Sequence, residues 1–351
     1  MSAFTGKDAA AKRPARAQTR TTPTPAIEAR DFEAPIPEDI RTRLGLSTDE
    51  TVSARIVGPD NAPVVVVLGG ISAGRFVAEE PNAPEGQRRG WWSRLARVGG
   101  GVDISKVRVL GLDFTPCNVP TPIPITPADQ AALVASALDT LGVQKVRAFV
   151  GASYGGMVGL AFARCFPKRL EQLVVASAAH RPHPMATAWR GVQRRILAFA
   201  AECGRGAEGV ALARELAMTT YRTPEEFAER FGGGLTGEES DSDICGYLKS
   251  RGEAYVDVMS AARFTSLSGA IDRHCEDPSK ITTPTLLIGA DSDRLVPLED
   301  MRELADKLAG PTRFVTLTSI YGHDSFLKET DALAPHVRAA IEAPLESDSS
   351  A

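Results

Sequence analysis

Gly151-Ala152-Ser153-Tyr154-Gly155 stands where an apolar strand, Val146-Arg147-Ala148-Phe149-Val150, gives way to a helix that continues through Met157-Val158-Gly159-Leu160-Ala161. The stretch reads G-x-S-x-G, the pattern of a nucleophile elbow, and a strand before it with a helix behind it is the context that pattern needs. So tight a turn drives the serine toward strained backbone angles, and only very small neighbours let strand and helix close up. Gly151, Gly155 and Gly156 are those neighbours. The geometry lifts the Ser153 hydroxyl clear of the sheet. It also leaves the Tyr154 N–H, at a helix N-terminus, facing the place where negative charge would develop. Ser153 is the candidate nucleophile; a glycine-rich turn without chemistry is the alternative that the motif alone leaves open.

The rest of the 351-residue composition sets bounds. Hydrophobic residues make up 43% and charged residues 24%, with 40 basic against 44 acidic side chains. That balance argues against disorder and against a nucleic-acid partner. No apolar run reaches the roughly 18 residues a membrane-spanning helix requires, and no apolar leader core opens the chain, so a cytoplasmic protein is expected. The cysteines, at 117, 165, 203, 245 and 275, are odd in number and contain no C-x-x-C pair, which points to reduced thiols and away from a metal site.

Taken in order, residues 1–25 are rich in Ala, Thr, Arg and Lys and read as a disordered tail. Two antiparallel edge strands are expected over 27–34 and 51–57. The apolar run Val64-Val65-Val66-Val67-Leu68 is a buried parallel strand, and it empties into Gly69-Gly70-Ile71-Ser72. In an elbow fold the second oxyanion donor comes from the backbone after such a strand, which selects the Ile71 N–H. A helix is expected around Gly90-Trp91-Trp92, then a strand over 107–114 and a rigid proline-rich loop from Cys117. Thr126 and Pro127 cap a helix that Gly142 ends. A strand over 170–176 completes four strand-helix units, the mark of an α/β fold with a mostly parallel central sheet and helices on both faces. Between 181 and 271 helical segments follow one another (187–202, 209–220, 224–231) with no buried strand. They read as a helical lid, with a mobile loop at Gly232-Gly233-Gly234 and the acidic 238–243 stretch. The core, 26–180, resumes at 272–345 with strands over 284–290 and 313–319 and a helix over 331–342.

A serine hydroxyl needs a base, and the base needs a carboxylate to hold its tautomer, in the chain order Ser, acid, His for this architecture. Of the five histidines only His323 follows a late strand, in Tyr321-Gly322-His323-Asp324. Two aspartates compete for the third position in Asp291-Ser292-Asp293-Arg294-Leu295-Val296-Pro297. The one four residues before the proline, Asp293, is preferred, with Asp291 a turn residue.

These motifs, with Ala213-Arg214, Tyr221-Arg222, Arg230-Phe231, Gly90-Trp91-Trp92, Ser153-Tyr154-Gly155-Gly156-Met157 and Gly322-His323-Asp324-Ser325-Phe326-Leu327, resemble the homoserine O-acyltransferase family of the α/β-hydrolase fold over about residues 50–345. The resemblance implies that the serine is acylated by acyl-CoA and passes the acyl group to the side-chain hydroxyl of homoserine, in methionine biosynthesis. It implies a clamp of Arg214, Tyr221 and Asp324 on the amino acid, and a homodimer formed through the lid. No cofactor is implied beyond acyl-CoA as co-substrate, and no metal. The clamp is chemically apt, since a zwitterion wants a cation for its carboxylate and an anion for its ammonium. Asp113-Phe114-Thr115-Pro116-Cys117 and the Gly-Gly-Ile-Ser loop depart from the family pattern on the acyl-donor side. The donor is therefore open between succinyl, slightly preferred, and acetyl, and serine is an alternative acceptor. An esterase on the same triad is a further alternative, as is an inactive binding protein of the same fold. A succinyl carboxylate would want a cation nearby, for which Arg75 is a candidate.

Overall fold

Every residue of Val64–Leu68 is buried. The run divides by parity: Val64, Val66 and Leu68 enter one hydrophobic cluster, Val65 and Val67 the other, because successive strand side chains point to opposite faces. A strand buried on both faces belongs inside a sheet covered on both sides. The computed structural model, which describes residues 26–81, 89–117, 120–232 and 243–343, contains that sheet.

Its strands are β1 (Glu28–Pro35), β2 (Thr51–Gly58), β3 (Val64–Leu68), β6 (Arg108–Leu112), β7 (Ala148–Ala152), β8 (Leu173–Ala176), β9 (Thr285–Ala290) and β10 (Thr312–Leu317); β4 (Ala96–Arg97) and β5 (Val102–Asp103) pair separately. The order across the sheet is β1-β2-β6-β3-β7-β8-β9-β10. The six strands from β6 to β10 run parallel, while β1 and β2 are antiparallel additions. One face is covered by α1 (Glu38–Leu44), α2 (Pro127–Thr140), α3 (Tyr154–Cys165) and α9 (Leu298–Lys307). The other carries the Trp92–Ile104 turns, α10 (Ser325–Lys328) and α11 (Thr330–Glu342). Helices α4 (Pro184–Glu202), α5 (Gly206–Tyr221), α6 (Pro224–Phe231), α7 (Asp243–Val256) and α8 (Ala261–Asp272) all fall between β8 and β9.

The start of α2 shows the sequence acting locally. The Thr126 Oγ1 accepts the Asp129 N–H at 3.2 Å and the Asp129 carboxylate accepts the Thr126 N–H at 2.8 Å, a reciprocal cap with Pro127 at the first helical position.

Two expectations fail. Residues 90–95 form turns, not a helix: the N–H groups of Gly90, Trp91 and Trp92 bond the carbonyls of Ala78, Phe76 and Val77, and the local bonds from Ser93 to Gly90 and from Leu95 and Ala96 to Trp92 stop where the chain enters β4 at Ala96. A Cβ at Gly90 would lie 2.2 Å from the Val77 carbonyl carbon, which makes glycine obligatory there. Strand β2 is not an edge, because its second side pairs with β6 from Ala54 to Val57 and only β1 is left outermost. The tail at 1–25 and the acidic loop of the helical segment lie outside the described residues, the latter except for Gly232 and the start of α7. Among the described residues no helix is long and apolar enough to cross a membrane.

Candidate active site

The elbow forms where β7 runs into α3. Ser153 has φ 54° and ψ −122°, a conformation that L-residues adopt only at a cost. The fold imposes it through backbone proximity: a Cβ on Gly155 would lie 2.2 Å from the Leu68 carbonyl oxygen, and one on Gly151 would lie 2.3 Å from the Gly155 carbonyl oxygen. The Gly155 N–H donates to the Gly69 carbonyl at 2.7 Å, and the N–H groups of Gly156 and Met157 both donate to the Ser153 carbonyl. Among the described residues the Tyr154 and Ile71 N–H groups have no acceptor, and both residues border the cavity that holds Ser153. Two unpaired backbone donors beside a hydroxyl form an oxyanion hole in outline.

The partners come from the far end of the chain. His323 Nε2 lies 2.8 Å from Ser153 Oγ, and His323 Nδ1 lies 2.8 Å from Asp293 Oδ2. The other carboxylate oxygen of Asp293 accepts the N–H groups of Leu295 at 2.9 Å and Val296 at 3.0 Å, which locks the acid in place. Asp291 accepts the Ser319 N–H instead, at 3.1 Å, and makes no contact with the imidazole. The loop carrying His323 reaches the elbow by a left-handed turn at Gly322, φ 56°, where a Cβ would lie 2.6 Å from the Tyr221 carbonyl oxygen. The end of α5 and the base loop therefore fit together, and the Thr223 hydroxyl, donating to the Ile320 carbonyl, ties them.

Burial disfavours a charged imidazole at His323, but the adjacent Asp293 carboxylate outweighs it, so the His323 pKa is raised above 6.5. The base must be neutral to accept the serine proton. Activity should accordingly fall as pH drops through a midpoint above the ordinary imidazole value. A kcat/KM profile whose acidic limb sits at or below pH 6.5 would contradict this ordering of the two effects.

Arg214, Tyr221 and Asp324 all border the same cavity of ≈240 Å³. The Arg214 guanidinium lies over the Tyr221 ring at 5.5 Å and the Tyr255 ring at 4.6 Å. No carboxylate is within ion-pair distance of it among the described residues. Asp324 shares Arg222 with Glu226, the contacts being 3.5 and 3.1 Å. Among the described residues Arg222 is the only ion-pair partner of either carboxylate. Tyr221 packs on the base itself, ring to ring at 5.9 Å.

Arg75 does not belong to this site. Its guanidinium is taken by Asp113 and, at 3.2 Å, by Asp31, and it does not border the cavity. Trp91 does border it, through a stacked pair with Trp92, ring centroids 4.9 Å apart. Sequence reasoning missed Trp189, Arg190 and Gln193 of α4, which face the cavity together with Ala186. Their spacing of three, four and seven residues along one helix face was the available signal. Among the described residues no cluster of three or more His, Cys, Asp or Glu side chains is placed to hold a metal ion.

Residues 120–330 match the family model of the α/β-hydrolase fold. The chain is 40% identical over 294 residues to homoserine O-succinyltransferase of Xanthomonas campestris, covering 82% of this chain and 77% of that protein. It is 37% identical over 221 residues to homoserine O-acetyltransferase of Thermus thermophilus, covering 59% and 56%. The solved structure of homoserine O-acetyltransferase from Bacillus anthracis superposes with a TM-score of 0.77 at 15% identity, over 92% of this chain and 99% of that one. Esterase E22 superposes with the same TM-score at 19% identity, over 90% of this chain and 100% of that one. Both structural likenesses speak to the fold; the 40% identity to the Xanthomonas protein, spread over most of both chains, carries kinship further. With its elbow, hydrogen-bonded triad and helical segment over the serine, this chain belongs to the homoserine O-acyltransferase family of the α/β-hydrolase fold.

Proposed function

We propose that this protein is a homoserine O-acyltransferase of the cytoplasm that works by a ping-pong route. The Ser153 Oγ, deprotonated by His323 with Asp293 behind it, attacks the acyl-CoA thioester, and the Ile71 and Tyr154 N–H groups hold the oxyanion. His323 returns its proton to the departing CoA sulfur. It then deprotonates the homoserine hydroxyl, which attacks the acyl-serine and regenerates Ser153. The observation that carries the reading over simple ester hydrolysis is the pairing, in one cavity with the triad, of an Arg214 cation lacking a carboxylate and an Asp324 corner with one to spare. A zwitterionic acceptor meets both, whereas water needs neither. The family relatives favour homoserine over serine, and the Xanthomonas relative favours succinyl over acetyl. Val192, Phe199 and Leu212, all exposed on α4 and α5, offer a second copy an apolar face; a monomer mass by light scattering would remove the homodimer from this reading.

The test is CoA release, followed with a thiol reagent, for succinyl-CoA and acetyl-CoA with homoserine, serine or no acceptor. Release that ignores the amino acid would make the protein a thioesterase. Replacing Arg214 by Ala should lower kcat/KM for homoserine about a hundred-fold, the cost of losing a charge-assisted contact, while the first burst of CoA survives. If the burst falls in step, Arg214 does not serve the acceptor.

A further inference from the structure

Gln193 is 3% exposed and borders the cavity, yet its side-chain amide has no hydrogen-bond partner among the described residues. Its amide atoms are not sealed away from solvent but open onto the cavity, where a ligand's polar group can pair with them. Beside it, one turn back on α4, Arg190 contacts the Asp272 carboxylate through Nη2 at 2.6 Å and Nε at 2.7 Å. Arg194 takes the other oxygen of Asp272 at 2.7 Å and donates to the Ser268 Oγ at 2.8 Å. Two guanidinium groups thus share one carboxylate, and the surplus charge is positive.

The charges around the cavity can be balanced one group at a time. Arg181 and Lys307 are matched by Asp300 and Glu303. Arg214 has no carboxylate, and Arg222 has two, Asp324 and Glu226. A zwitterionic amino acid satisfies Arg214 and the Asp324 corner together, and leaves the Arg190–Arg194–Asp272 surplus unmet. The Arg190 charge is felt at both His323 and Tyr221, so this surplus lies within electrostatic range of the reacting centre. The other substrate can supply the second anion, and because the phosphates of CoA sit a full pantetheine arm away from the thioester, an anion this near His323 belongs on the acyl chain.

We propose that Gln193 and Arg190 form a subsite for a terminal carboxylate on the acyl group, which makes the donor a dicarboxylic acyl-CoA of the succinyl type. The subsite determines specificity and touches no reacting bond. It rests on the acyl-transfer reading above, and it replaces Arg75 as the source of the cation. Gln193 donates its amide N–H to the carboxylate and Arg190 supplies charge, while Asp272 keeps the guanidinium oriented.

The wild-type protein tests this without any substitution. With homoserine saturating, kcat/KM should be at least tenfold higher for succinyl-CoA than for acetyl-CoA. It should fall about a hundred-fold when the succinyl carboxylate is replaced by its neutral amide. Gln193→Leu should lower the succinyl-to-acetyl ratio about tenfold, and Gln193→Glu, which sets like charges face to face, should lower it further. Thermal melts establish that each variant is folded. A wild-type preference for acetyl-CoA, equal use of succinyl-CoA and its amide, or an unmoved ratio in the folded variants would overturn the subsite and leave acyl transfer standing. Homoserine-independent CoA release from every donor would instead remove the transfer reading on which the subsite rests.

Discussion

Ser153→Ala is expected to lower turnover about a million-fold and to abolish labelling by a serine-directed fluorophosphonate, with the melting temperature close to that of the parent. The magnitude follows from removing the only atom able to form the covalent intermediate; comparable nucleophile deletions in triad enzymes leave only the residual catalysis of the oxyanion hole and binding. The unchanged stability follows from the backbone. Alanine keeps the Cβ, so it inherits the same positive φ at the elbow, 54°, and the single lost contact is the hydroxyl's bond to His323. Activity within tenfold of the parent would show that another group is the nucleophile, and labelling elsewhere in the chain would locate it.

The second large effect separates two aspartates that lie two residues apart. Asp293→Asn should cost about ten-thousand-fold in kcat, because an amide that keeps its carbonyl toward the Leu295 and Val296 N–H groups turns an NH2 toward His323 Nδ1. The imidazole then carries its proton on the nitrogen that should face the serine, and it cannot act as base. Asp291→Asn retains an oxygen for its one contact, the Ser319 N–H, and activity should stay within a few-fold of the parent. Stopped-flow measurement of the CoA burst in both variants decides it. Equal losses would mean that Asp293 merely holds the loop together.

The elbow, the triad and the parallel sheet were legible because each is written locally or in a fixed order. Glycines at 151 and 155 answer to backbone approaches of a few ångströms and Gly156 to the Ala178 and Val175 side chains, and Ser153, Asp293 and His323 follow the chain order that this architecture requires. Asp293 was separable from Asp291 only through the spacing to Pro297, and the structure gives the physical basis in the two backbone amides that Asp293 holds. What was not legible depends on pairs distant in sequence. Arg75 has no carboxylate near it in sequence, yet Asp31 and Asp113 hold its guanidinium in the fold. Gln193 and Arg190 drew no reading in the helical segment over 187–202, since nothing nearby in the chain announces Asp272. The turns at 90–95 were misread because the carbonyls of Phe76, Val77 and Ala78, which satisfy their amides, come from an earlier loop.

The placement of five helices between β8 and β9 has a bearing on how the protein is made. Strand β9 pairs with β8 residue for residue, from Leu173 with Thr285 to Ala176 with Ile288. The separation in sequence costs little stability, because closure entropy grows only logarithmically with loop length, but it delays the pairing. His323 emerges 170 residues behind Ser153 during synthesis. Until the last two strands dock, the serine is an ordinary alcohol with no base in reach. Vectorial synthesis thus works as a built-in safety catch: the unfinished chain cannot consume thioesters, and reactivity appears only once the helices that carry the charged walls of the cavity have already been made.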